Sequence, residues 1–157
     1  MTLYRRWPDT QTLLADLMTR EWSQVVQGAA PDGADSLDRI ASGIVATVQA
    51  LRDNALLRRI VDVDPEVLLP YLLDRRGRSQ QYVAEATAAL VEEGQREASV
   101  RAGDPTTLAR ALLLATHGFV LSAHTMSDPT DDPVSRDADV SQLDSELETL
   151  VRRYLAR

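Results

Sequence analysis

Two histidines, His117 and His124, are the residues of this 157-residue chain best suited to hold a metal or move a proton. Their spacing of seven puts them on one helix face with Leu113, Val120 and Leu121. A zinc site needs further ligands, and no HExxH pattern, no His-x-x-His pair and no cysteine supplies them. Core-facing histidines usually hydrogen-bond within the fold, so the pair reads as structural or ligand-contacting, with no metal or cofactor expected. Asp128, Asp131 and Asp132 lie close together but lack the glycine and terminal glutamate of a calcium loop, and read as surface. Arg75, Arg76 and Arg78 offer an anion contact, yet read as a solvated loop beside Asp74 and Glu85. There is no Gly-rich phosphate loop, nucleophile elbow or triad spacing, so an enzyme is not expected.

Bulky side chains with a polar handle are the better candidates. Trp22, Tyr71, Tyr82 and His117, with Leu121 on the histidine's face, combine apolar area with a hydrogen-bonding group. Such residues line mostly apolar pockets and orient a ligand there. They predict a pocket for a small, largely apolar or aromatic molecule; the plainer reading makes each a core filler at a helix contact.

The elements that must position them are all helical. Asp9 is a good N-cap for a helix over about 10–27, with Leu13, Leu14, Leu17, Met18, Trp22, Val25 and Val26 at helical spacing. Leu37, Ile40, Ala41, Ile44, Val45, Val48 and Leu51 give the cleanest amphipathic pattern, capped by Asp35 or Ser36. A short helix is predicted over 55–61. Asp64-Pro65 then pairs a cap with a first-turn proline, launching a further helix that Pro70 kinks or shortens. A long helix over about 79–100 turns Tyr82, Val83, Ala86, Ala89 and Leu90 inward. Asp104-Pro105 launches a helix over about 105–125 that is apolar nearly all round and so needs cover on both sides. An acidic, proline-interrupted loop precedes a last amphipathic helix over 139–156. No alternating strand pattern and no internal repeat is present.

Composition agrees with one soluble domain: 44% apolar, 26% charged. No apolar run reaches the roughly 20 residues of a membrane span and no signal-peptide core is present, so a cytoplasmic location and no membrane partner are expected. All seventeen basic residues are arginine, and the net charge of −7 opposes holding nucleic acid by charge.

The opening run Thr2-Leu3-Tyr4-Arg5-Arg6-Trp7-Pro8-Asp9, followed by Leu13-Leu14, resembles the end of the DNA-recognition helix and the start of the fourth helix in TetR-family transcriptional regulators. The layout of "DPEVLLPYL", "RRGRSQ" and "EASVRAGDP", then an apolar and an amphipathic helix, is similar to that family's ligand-binding and dimerisation domain. The resemblance implies an all-α fold of six to seven helices, with 1–8 a remnant of the recognition helix and 9–157 the sensor. It makes Thr2, Tyr4 and Arg5 remnants of a DNA-facing surface; by the residues alone, Tyr4 and Trp7 instead cover the end of the next helix. The helices that should precede the run are not in the sequence, so this chain alone is expected to bind operator DNA poorly, and to need them to bind it well.

The same resemblance implies a homodimer in which the last two helices of each subunit form a four-helix bundle. Candidate contacts are a small-residue stripe, Ala111, Ala115, Gly118, Phe119 and Ser122, and an arc of Leu143, Leu147, Leu150 and Tyr154. The expected function is a ligand-responsive regulator of repressor type, with a small-molecule effector. The alternative is a dimerisation or interaction module without DNA binding of its own.

Overall fold

The computed structural model describes residues 7–29, 31–127 and 132–157, apart from the side chains of Pro133 and Arg136. Six α-helices and no strand occur among them: α1 Thr10–Gly28, α2 Ser36–Asp53, α3 Ala55–Val63, α4 Arg78–Arg96, α5 Pro105–Leu121 and α6 Pro133–Leu155. The all-α expectation holds. No helix among the described residues is long and apolar enough to cross a membrane.

Helix starts are set by local side-chain chemistry. The carboxylate of Asp9 accepts from the Thr12 N–H at 2.6 Å, and those of Asp35 and Asp104 accept from the Asp38 and Thr107 N–H groups at 2.9 and 2.7 Å. Asn54 does the same for α3 at 3.0 Å. Each satisfies a donor that the first turn leaves free, a contribution of about 1 kcal/mol. The Asp9 carboxyl is held below its ordinary range chiefly by that Thr12 N–H. Trp7, half-buried, donates from Nε1 to Asp16 on α1 at 3.2 Å, so it covers the start of α1 as the residues alone predict. Thr2, Tyr4 and Arg5 lie outside the described residues.

Several boundaries differ from the sequence reading, among them the end of α5, at Leu121 where about 125 was expected. Asp64 makes no side-chain cap; Pro65–Leu68 is a 3-10 turn and Pro70–Asp74 a π-helical turn closed by the Arg75 N–H on the Pro70 carbonyl at 2.8 Å. Two prolines five residues apart deny the chain the amide donors a regular helix needs there. α4 ends at Arg96 rather than Val100, because Ala98 adopts φ +63° and the N–H groups of Ser99 and Val100 both fold back on the Gly94 carbonyl. A side chain at Gly94 would meet Val100 at 2.5 Å, so the close approach requires glycine. α6 starts six residues earlier than expected, since Asp132 caps it and Pro133 occupies its first turn; the acidic stretch read as loop is partly helix.

α2 runs through the centre. Its Ile40, Ala41 and Val48 join Val91 of α4, Leu108 and Leu112 of α5, and Leu147, Val151 and Leu155 of α6 in the main core. A second cluster joins Met18 of α1 to Leu57 and Ile60 of α3 and to Leu68. α6 is fastened to α2 by Asp144, which accepts from Arg52 at 2.6 Å and from Gln49 at 2.9 Å, and by the Arg152–Asp38 ion pair. Arg101 closes the C-terminal end of α6, donating to the carbonyl of Tyr154 at 2.6 Å with its guanidinium 4.6 Å from that ring.

Candidate ligand cavity and helical face

Between the two clusters the packing opens into a cavity of about 460 Å³, within the range of small-molecule sites. α1, α2, α4 and α5 form its sides, and the turns at 65–74 form one edge. Trp22, Tyr71, Tyr82, His117 and Leu121, from four separate segments of chain, all lie on its wall. They are brought together because α1 and α4 each pack on α2, while the proline turns carry Tyr71 to its wall. Tyr82 departs from its predicted inward position: at 47% exposed it stands at the rim. Ala86 and Ala89 are likewise exposed, whereas Val91, which the sequence reading passed over, is fully buried.

The polar groups of the wall have definite partners. Gln80 accepts at Oε1 from the Gly77 N–H at 2.8 Å, which orients its amide nitrogen toward His117 Nε2 at 3.2 Å. The amide is the donor in that contact, so His117 accepts at Nε2 and carries its proton on Nδ1. Burial pushes the His117 pKa below the ordinary histidine value, consistent with a neutral ring. Gln80 escaped the sequence reading; its place three residues after the helix-starting Gly77 was the available signal. Arg39 also lies on the wall, held by Glu93 at 2.9 Å and Ser36 at 2.8 Å. Nothing local in the sequence announces that pairing, since Glu93 is 54 residues away.

His124 does not join His117. It lies on a separate groove with Arg52, Asp137 and Asp144, outside the main cavity. Arg75 stacks over Tyr71 at 5.3 Å and Arg76 donates to Gln81 at 2.9 Å, while Arg78 is exposed at the start of α4. The cluster is a surface turn, as read from its neighbours. Asp128 and Asp131 lie outside the described residues.

The proposed dimer residues divide. On α5, Ala115, Gly118 and Ser122 are exposed, Ala111 is half-buried, and Phe119 packs partly against the main core. On α6, Leu150 is 55% and Tyr154 38% exposed and Leu143 is half-buried, but Leu147 is 1% exposed. Leu147 is therefore a correction: it faces α2 within the chain and presents nothing to a second subunit. Leu114, 70% exposed and three residues after Ala111, lies on the same side of α5 as that stripe and was passed over in favour of small residues.

No family model matches the chain, and no solved structure matches it. Curated relatives do. The chain is 33% identical over 154 residues to the "Uncharacterized HTH-type transcriptional regulator Rv2250c" of Mycobacterium tuberculosis (strain ATCC 25618 / H37Rv), covering 98% of this chain and 76% of that protein. The same identity and coverage relate it to the "Uncharacterized HTH-type transcriptional regulator Mb2274c" of Mycobacterium bovis (strain ATCC BAA-935 / AF2122/97). With similarity of that degree running through an all-helical chain, the protein belongs to the HTH-type transcriptional regulators.

Proposed function

We propose that this regulator is of TetR type and represses transcription from the cytoplasm, and that residues 9–157 sense a small, largely apolar or aromatic effector and dimerise. The observation that carries the sensor reading is the cavity of about 460 Å³, with Trp22, Tyr71, Tyr82, His117 and Leu121 on its wall. The effector acts by differential affinity: it prefers a dimer geometry in which two recognition helices no longer match successive major grooves. Tight binding alone shifts nothing, because a ligand with equal affinity for both geometries leaves their ratio unchanged. The test is thermal unfolding and Trp22 emission of the chain across a panel of uncharged apolar and aromatic compounds. A response to a subset is expected; a flat response to all of them overturns the sensor reading.

The dimer is twofold and uses α5 and α6. Its support is the exposed apolar area on those helices in the single chain, Leu114, Leu150 and Tyr154 foremost, with Ala115 and Gly118 allowing close helix approach. Light scattering at micromolar concentration should give twice the chain mass, and Leu150→Glu should return it to the monomer; a monomeric unsubstituted chain overturns this part. Operator binding needs a complete helix-turn-helix head, a reading supported by the net charge of −7 on this chain. A gel shift of the chain near physiological salt should show no specific complex, and tight specific binding would refute it.

A further inference from the structure

The Gln80 side chain joins three other parts of the chain at the cavity wall. Its Oε1 accepts from the Gly77 N–H at 2.8 Å, and its amide nitrogen reaches the Tyr71 carbonyl at 3.3 Å and His117 Nε2 at 3.2 Å. Two of these partners are backbone groups whose roles are fixed: an N–H only donates and a carbonyl only accepts. They decide which end of the amide is nitrogen, so its two hydrogens are engaged, one by the turns at 65–74 and one by α5. The ring of Tyr71 lies against the same helix start, since a side chain at Gly77 would meet it at 3.2 Å. The turn that carries Tyr71 needs such a tie. Pro70–Asp74 packs chiefly on the 3-10 turn before it, and its Leu72 and Leu73 are exposed.

The tie depends on the state of the histidine ring. Neutral His117 offers Nε2 as an acceptor, whereas the protonated ring donates from both nitrogens and meets an amide hydrogen. Turning the amide over would serve that ring, but would set its oxygen against the Tyr71 carbonyl and its nitrogen against the Gly77 N–H. Protonation therefore breaks a tie whichever way the amide stands. The other titratable or charged groups on this wall, among the described residues, are Tyr71 from the turns, Tyr82 from α4 and Arg39 from α2, whose charge Glu93 and Glu97 counter. α1, α3 and α6 place none there. We infer that Gln80 is a positioning residue of the effector site: it holds Tyr71 and His117 as one wall for the ligand, and protonation of His117 undoes that wall and weakens binding. This rests on the reading of the cavity as the effector site, and it names a residue and a regulation of that site. A wall held in place beforehand spares the ligand the cost of ordering it. Affinity is full while the ring is neutral and falls as pH drops through the folded-state pKa, which burial holds below 6.5.

Two measurements on the whole chain test this. Nitrogen-15 NMR reads the ring without a ligand; the chain has two histidines, and His124→Gln leaves His117 alone. At about pH 7.5 Nε2 should be the bare nitrogen, and Gln80→Glu, which only accepts, should move the proton onto Nε2 and raise the ring's pKa. An Nε2 already protonated in the unsubstituted chain overturns the inference. The second measurement is fluorescence titration with N-phenyl-1-naphthylamine, an uncharged apolar probe. Its affinity should fall roughly 3- to 10-fold, the value of one neutral hydrogen bond, between about pH 7.5 and one unit below the ring's measured pKa. Gln80→Leu should show a loss of similar size at the higher pH and no further fall in acid, and His117→Phe should remove the acid fall. Equal affinity in a folded Gln80→Leu chain, or an acid fall that His117→Phe retains, overturns the inference while leaving a ligand cavity in place. Should only a compound of the panel above bind, it replaces the probe. If none binds, the effector-site reading fails and the inference fails with it. Should Gln80→Leu or His117→Phe not fold, judged by helical circular dichroism, the tautomer and the pH profile of the unsubstituted chain decide.

Discussion

The half of the domain built by α2, α4, α5 and α6 and the half closed by α1, α3 and the turns at 65–74 use similar apolar residues to different ends. In the first, Ile40, Val48, Val91, Leu147 and Leu155 are almost wholly screened from water, and the charged pairs tie one helix to the next. In the second, Leu13, Leu17, Leu69 and Leu72 remain substantially exposed, and the backbone departs from α-helix at two prolines. The space left over is the cavity. Dense packing positions helices, whereas a site must keep room, at a cost in stability that the dense half offsets.

The largest test of that contrast is a pair of truncations. Leu147→Ala should destabilise the chain by about 3–4 kcal/mol in urea unfolding, because rigid neighbours cannot collapse into the space. Leu72→Ala at the cavity edge should cost less than about 1 kcal/mol. Equal losses would mean the two halves pack alike. Next, Asp144→Ala removes the carboxylate shared by Arg52 and Gln49 and leaves a mostly buried guanidinium unpaired. A loss of about 2–3 kcal/mol is expected by the same measurement, at the lower end for broken buried pairs because Arg52 keeps some access to water. A loss under about 0.5 kcal/mol would show the contact to be no stronger than a surface pair.

The smallest effect lies on the cavity side. The His117 pKa is lowered by folding, so the unfolded chain binds more protons between the folded value and the ordinary 6.5. Its contribution to stability is full above pH 6.5 and declines as pH falls through that window. Asp38 and Glu97, also lowered, act only in the carboxylate range below it. His117→Asn should flatten the stability curve just below about pH 6.5 while leaving the steeper fall in the carboxylate range. An unchanged slope would indicate that folding does not lower the pKa of the ring.

Much of the fold was legible from local sequence. Asp9, Asp35, Asn54 and Asp104 cap within four residues, so their helix starts need no distant partner. The apolar spacing of α2 depends only on helical geometry. Legibility ended where a boundary depended on something farther off or on a competing local bond. Ala98 turns the chain because Gly94 lets Val100 approach, and Asp132 starts α6 within a stretch whose acidity and prolines suggested loop. For the cavity, residue type identified Trp22, Tyr71, Tyr82 and His117, since few side chains combine bulk with a polar handle. It missed Arg39 and Gln80, whose importance comes from what they meet.

The sequence by itself therefore determined that the chain is helical, where most helices begin, and which aromatic residues were available for a site. Only the tertiary structure decided between residues that local pattern makes equivalent. Leu147 and Leu150 lie three positions apart on one apolar arc of α6, yet one is 1% and the other 55% exposed. A helical period says which residues share a face; the angle at which α2 meets that face decides which of them is covered. Likewise Asp144 is one acidic residue among several on α6 until Arg52, 92 positions earlier in the chain, is packed against it.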